Sequence, residues 1–460
     1  MNMINVRRLT VMTFLGASML SGISAQVSPL QVDTLKETKI PDQWDLQSCI
    51  DYAKEQNITI RKNRITAAST QIDVKTAKAA MFPSLSFSTG QQVVNRPYQE
   101  TSSRVSGSEI ISSNSKTSYN GNYGLNASWT LYNGNKRLKT IQQEKLNNQM
   151  AELDVATSEN NIQESIAQVY IQILYAAESV KVNENTLQVS IAQRDRGQEL
   201  LNAGSIAKSD LAQLEAQVST DRYQLVTAQA TLEDYKLQLK QLLELDGENE
   251  MNIYLPTLSD ENVLAPLPTK RDVYISALSL RPEIEASKLN VEASELGINI
   301  AKSSYFPTIS LSAGIGTNHT SGSDFTFGEQ VKNGWNNSIG LSVSVPIFNN
   351  RQTKSAVQKA KLQYETSMLS LLDEQKALYK TIESLWLDAN SAQQRYAAAN
   401  EKLKSTQISY ELISEQFNLG MKNTIELLTE KNNLLQAQQE QLQAKYMAIL
   451  NMQLLKFYQG

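Results

Sequence analysis

The sequence predicts an α+β membrane protein, internally duplicated, in which long coiled-coil helices adjoin a transmembrane β-barrel shared between chains. Three observations predict it. The chain is written twice. Its longest helical stretches keep a period of 3.5. Four segments of about ten residues, the length a tilted strand needs to cross a bilayer, alternate greasy and small polar side chains.

Composition agrees. Only 41% of the 460 residues are hydrophobic, and 10 prolines and 19 glycines are too few for a chain that turns often. Such a balance favours long helices with wide polar faces. A single cysteine, Cys49, excludes an intrachain disulfide and cysteine-based metal sites, and a single histidine, His319, excludes any site needing two imidazoles. No nucleophile–base constellation or phosphate loop stands out, so the reading is not an enzyme and implies no cofactor or metal. A formal charge of −4 argues against nucleic-acid binding.

The N-terminus reads as a secretory signal peptide over residues 1–25. Arg7 and Arg8 precede an apolar run from Leu9 to Ile23, and Ile23-Ser24-Ala25 offers a small residue for cleavage. The run is short for a membrane span. The exported chain has no other stretch that reads as a transmembrane helix.

Two copies follow, over 26–245 and 271–460, joined by a linker at 246–270 that holds Pro256, Pro266 and Pro268. Phe82-Pro83 matches Phe306-Pro307, and Leu131-Tyr132-Asn133-Gly134 matches Ile347-Phe348-Asn349-Asn350. From Gly134 to Gly204 is 70 residues, as it is from Asn350 to Gly420. Two long copies indicate duplication of one large unit rather than a solenoid. Each reads as helix, strand, loop, strand, very long helix, turn and long helix. The first copy opens with helices at Leu46–Gln56 and 58–81, broken near Asn57.

The expected strands are 84–93, 123–132, 308–316 and 338–348. Leu85 and Phe87 alternate with Ser84, Ser86 and Ser88, and Ile339, Leu341 and Val343 with Ser338, Gly340 and Ser342. The Ser/Gly/Asn-rich stretches Ser106–Asn122 and Thr317–Asn333 read as outer loops, with His319 solvated. In the second long helix, steps of four and three pass through Leu378, Ile382, Leu385, Ala389, Ala392, Tyr396, Ala399, Leu403, Thr406, Tyr410, Ile413 and Phe417. Eleven of these twelve are apolar or aromatic, so the seam is a coiled coil. The first copy keeps the phase through Ile162, Ile166, Val169, Ile173, Ala176, Val180 and Leu187. Cys49 reads as a small packed residue.

Four strands cannot close a barrel, and open edges are not tolerated in lipid. Three copies would supply twelve. At this point the chain resembles the TolC-type outer membrane efflux proteins over nearly its whole mature length. The duplication, the Phe-Pro strand starts and the glycine turns at Gly204 and Gly420 carry the likeness. The resemblance implies a homotrimer with a 12-stranded outer-membrane barrel and a periplasmic α-barrel. It implies an exit duct, with a periplasmic adaptor and an inner-membrane transporter as partners. A secreted coiled-coil adaptor or a structural envelope protein are the alternatives. Two hairpins disfavour the first and four lipid-pattern strands disfavour both.

By the same resemblance, Ala203, Gly204 and Ser205, with Leu419, Gly420 and Met421, form the adaptor-docking tips. Glu426 falls where the family has a gate aspartate. The second gate position is Thr429, with Glu430 next to it. Asp210 and Lys422 stand at the positions of the family's closed-state latch, and Phe417 replaces a tyrosine of that latch. At a helix reversal glycine tolerates positive φ at little cost.

Overall fold

The computed structural model describes residues 41–98, 102–106, 109–113, 116–246, 251–256, 263–321 and 325–459. The leader at 1–25 lies outside them. From Trp44 onward the first copy opens with helices α1 (Leu46–Gln56) and α2 (Ile58–Ala79). The Asp45 carboxylate accepts from Ser48 N–H to start the first. The Asn57 side chain accepts from Thr59 and Ile60 to start the second. A lost side-chain cap of this kind costs about 0.5–2 kcal/mol, which is why the break falls at Asn57.

Strands β1 (Ser84–Asn95), β2 (Ser102–Ser106), β3 (Glu109–Ser113) and β4 (Thr117–Asn133) lead into helices α3 (Lys136–Asn202) and α4 (Lys208–Leu242). The second copy runs α5 (Lys270–Leu280), α6 (Pro282–Ser303), β5 (Thr308–Thr320), α7 (Phe327–Asn333), β6 (Asn336–Ser344), α8 (Gln352–Asn418) and α9 (Thr424–Gln459). The duplication is visible in the helix lengths. They are 11 and 11 residues for α1 and α5, 22 and 22 for α2 and α6, and 67 and 67 for α3 and α8. At 1.5 Å per residue the longest reach about 100 Å.

The main sheet is antiparallel, in the order β1-β4-β5-β6, with β4 against β5 sewing one copy to the other. Leu85, Ala127, Ala313 and Ile339 stand in one row across it. This face is bare: Leu85 is 70% exposed and Ile339 83%. The other parity carries Ser86, Asn126, Gly314 and Ser338. Among the described residues β1 and β6 are open edges. Where β4 turns into α3, Gly134 has φ +67, and a Cβ there would meet Ser303 O at 2.6 Å. Both the backbone angle and the close approach require glycine. Arg137 locks the same corner by donating to the carbonyls of Ala80, Thr130 and Leu131.

Several expected boundaries move. β1, β4 and β5 run past 93, back to 117 and on to 320, because each ladder carries polar residues that read as loop when taken alone. Asn120 pairs with Thr320, and Gly121 with His319. The expected loop Ser106–Asn122 therefore holds β3 and the start of β4. The loop Thr317–Asn333 holds the end of β5 and helix α7, which Thr326 and Glu329 start by a reciprocal capping box. β6 begins at 336 and stops at 344, before Pro346, which has no N–H for a ladder. His319 is buried rather than solvated, set over Gly121 among Tyr119, Tyr123 and Phe327.

The helical core has two centres, the first built from both copies and the second from the second copy alone. Trp44, Cys49, Ala53, Ile166, Ile173, Leu239 and Tyr396 belong to the first, and Val273, Ala277, Ile284, Leu378, Ile382 and Ala389 to the second. The shift of 224 that takes Pro83 to Pro307 also takes Cys49 to Val273 and Ala53 to Ala277, all buried. Cys49 is thus the packed residue expected from the sequence. Burial pushes its thiol up to about 12. All twelve seam positions from Leu378 to Phe417 are buried or half-buried. In the linker, Trp44 and Ile253 form a parallel bridge, and Tyr170 Oη donates to Tyr254 O at 2.6 Å. Among the described residues no helix is long and apolar enough to cross a membrane.

Candidate functional site

The two helical hairpins, α3–α4 and α8–α9, reverse by the same backbone device. At the end of α3, Gly204 N–H donates to Leu201 O and Ser205 N–H to Leu200 O, at 2.9 and 2.8 Å. At the end of α8, Gly420 N–H donates to Phe417 O and Met421 N–H to Gln416 O, at 2.9 and 2.8 Å. Gly204 has φ +75 and Gly420 φ +74, and neither has anything within 4 Å of an added Cβ. This is the Schellman end of a helix, which satisfies orphan carbonyls through a left-handed residue. Each glycine is demanded by the turn, and a side chain there would project into open space.

The tips differ in chemistry. Ala203, Gly204 and Ser205 are small and exposed. Leu419 is 75% exposed and Met421 70%, and Ile425 is exposed beside them, so the second tip is apolar.

The acids predicted for a gate and a latch sit in the first turns of α4 and α9. Asp210 and Glu426 are the same position in the two copies, six residues after each glycine. The Asp210 carboxylate accepts from Ala207 N–H at 3.0 Å. The Glu426 carboxylate accepts from Asn423 N–H at 3.3 Å, while Asn423 Oδ1 accepts from Glu426 N–H at 2.9 Å. Lys422 Nζ donates to Glu426 Oε1 at 2.6 Å. The Lys422 ammonium and the Asn423 N–H hold the Glu426 carboxyl below its usual range. Both carboxylates therefore cap helices. Within one chain the structure does not bring Asp210 and Lys422 together, because each is bonded inside its own turn. Glu430 lies one turn up α9 and accepts from Ser409 Oγ at 3.1 Å and Asn433 Nδ2 at 3.4 Å. Thr429 spends its hydroxyl on Ile425 O.

Sequence reasoning missed the densest polar contact between the hairpins. Ser190 of α3, Asp221 of α4 and Lys431 of α9 are 2%, 2% and 3% exposed. Lys431 Nζ donates to Ser190 Oγ and Asp221 Oδ2, Ser190 Oγ donates to Asp221 Oδ2, and Gln217 Nε2 donates to Asp221 Oδ1 at 2.9 Å. Burial pushes the Lys431 ammonium below its ordinary range, and Asp221 opposes that shift. A readable signal existed: Leu211, Leu214 and Val218 lead at core spacing to Asp221, and Thr424 and Leu427 lead to Lys431. Charge at a seam position is the mark of a buried partner.

Residues 49–244 and 273–460 match the model of the outer membrane efflux protein family, so the chain belongs to that family. It is 24% identical over 290 residues to the outer membrane efflux protein BepC of Brucella suis, across 63% of this chain and 60% of that one. It is 23% identical over 296 residues to the outer membrane protein TolC of Escherichia coli, across 62% and 58%. The chain thus spans less than two thirds of the length of these two relatives. Among solved structures, CusC matches with TM-score 0.76 at 19% identity, covering 90% of this chain and 92% of that one. VceC of Vibrio cholerae matches with TM-score 0.74 at 16% identity, covering 90% and 96%. These likenesses give the fold.

Removing one member of a buried ion pair leaves an uncompensated charge in the core. Lys431→Met should cost about 3–5 kcal/mol, and adding Asp221→Leu should recover most of the loss. Denaturant unfolding of the detergent-solubilised protein measures both. Equal losses in the single and double variants would contradict the assignment.

Proposed function

We propose that this protein is the outer-membrane exit duct of a tripartite efflux or export system. It is a passive homotrimeric channel that a periplasmic adaptor and an inner-membrane transporter recruit. One observation carries the reading: a sheet greasy on one face, small and polar on the other and open at both edges stands at one end of very long hairpins. Lipid takes the greasy face, water the polar one, and copies of the chain take the edges. Family membership and the likeness to channel structures support it.

In this reading the hairpin tips are the docking surface. Ala203-Gly204-Ser205 offers small side chains, and Leu419-Gly420-Met421 offers apolar ones. Exposed apolar side chains on a protruding turn, next to open space at each glycine, suit a helical partner that meets the tip end-on. Gly204→Trp or Gly420→Trp would fill that space. The expected outcome is a trimer still extracted from the outer membrane with export abolished in whole cells. Normal export would remove the docking surface.

Glu426 and Glu430 are the gate residues of the proposal. Three-fold symmetry would gather three copies of each near one axis and favour cations there. Lys422 tempers the charge of Glu426, and a latch between Asp210 and Lys422 would require both to leave their present partners. Glu426→Gln should lower cation selectivity and divalent-ion block in single-channel recordings. An unchanged channel would leave Glu426 as a helix cap alone.

A further inference from the structure

The face of the main sheet that carries Leu85 and Ile339 changes character toward the end far from the long helices. Asn133, where β4 gives way to α3, pairs with Thr308, and Asn120, at the opposite end of the ladder, pairs with Thr320. Along β5 the greasy parity runs Ile309, Leu311, Ala313 and Ile315, then Thr317 and His319. The neighbouring strands change at the same height. The row Phe87–Leu125–Ile315 is followed by Thr89–Tyr123–Thr317 and then by Gln91–Gly121–His319. An aliphatic band ends there, and a layer of polar and aromatic side chains begins.

Helix α7 is seated on that layer. Thr317 Oγ1 donates to Val331 O at 2.7 Å, and Phe327 meets the His319 ring edge-on with centroids 4.9 Å apart. Thr320 N–H donates to Gln330 Oε1 at 2.8 Å, and Gln330 Nε2 donates back to Phe325 O at 2.9 Å. A Cβ at Gly121 would meet the His319 imidazole at 2.2 Å, so glycine leaves the hollow that this ring fills under the helix. The side chains that hold α7, Thr317 and His319, both stand on the greasy parity. A lid over the mouth of a duct would lean to the other parity, where Asn122 pairs with Asn318.

What this segment leaves bare suits the surface of a bilayer. Phe325 and Trp335, on either side of α7, are 48% and 56% exposed. Lys332 is exposed, and Glu329 is engaged with Thr326 in the capping box. Large aromatic side chains and a lysine at the edge of an aliphatic band are the composition of a membrane–water interface. We infer that α7 lies in the headgroup layer of the outer leaflet, outside the barrel, and leaves the mouth clear. The inference rests on the duct reading, which sets the aliphatic band in lipid.

Depth-dependent quenching tests it. Cys49 is buried and its thiol is pushed up to about 12, so it stays out of the labelling. A thiol-reactive fluorophore is placed singly through Gly328→Cys, Trp335→Cys or Ile339→Cys. Nothing lies within 4 Å of an added Cβ at Gly328, so a label there leaves the packing alone. The assembled protein is reconstituted in phosphatidylcholine vesicles that carry a nitroxide either on the headgroup or deep in the acyl chain. Labels at 328 and 335 should lose more fluorescence to the headgroup nitroxide, and the label at 339 more to the deep one. If only aqueous iodide quenches the labels at 328 and 335, α7 stands in water and the inference falls. If lipid and iodide both fail to reach them, protein covers α7 and the inference falls equally. Gly328→Trp should leave single-channel conductance unchanged, and a clear drop would put α7 in the mouth and overturn the inference. A label at 339 that neither nitroxide quenches would sink the duct reading itself.

Discussion

Two rows of backbone N–H and C=O groups, along the outer edges of β1 and β6 and unpaired among the described residues, set the terms for the whole molecule. In lipid each such group costs several kcal/mol if it stays unpaired. The greasy row through Leu85, Ala127, Ala313 and Ile339 is left uncovered by the described residues of its own chain. The chain is therefore an arc. In the proposed duct the strands take copies of the chain beside them, and the helices that continue from the strands are carried into the same ring. A sheet that closes only by association places the long hairpins side by side without any further device.

Duplication supplies most of that ring cheaply, and the departures from it carry the specialisation. The paired helix lengths, the matched glycine turns and the correspondence of Cys49 with Val273 show how faithfully the unit was repeated. The tips depart first: small residues at one, Leu419 and Met421 at the other. Asp221 and Lys431 depart next, giving the contact between the two hairpins of the chain a buried ion pair with no counterpart by the shift of 216.

Much of this was legible in the sequence because it rests on periodicity. The 3.5 step found the seam from Leu378 to Phe417, and the alternation found the four long strands and their faces. Glycine at a helix reversal found both tips, and Asn57 marked the break between α1 and α2. What could not be read depends on neighbours far away in sequence. Residues 317–320 look like loop, yet they pair with β4. His319 looks hydrated, yet Tyr119, Tyr123 and Phe327 enclose it. The capping bonds of Asp210 and Glu426 are local, and their spacing from the turns allowed a reading as gate and latch before geometry showed the caps. The Ser190–Asp221–Lys431 cluster was in principle readable as charge at seam positions. It joins α3, α4 and α9, whereas the apolar period that the sequence shows runs along α3 and α8.

In the proposed duct one chain is a third of a wall. The mass of the protein extracted from outer membranes in mild detergent, by light scattering or native mass spectrometry, tests it most directly. Three chains are expected, in a particle that resists denaturing detergent until heated. A stable, properly folded monomer in detergent and in lipid would contradict it.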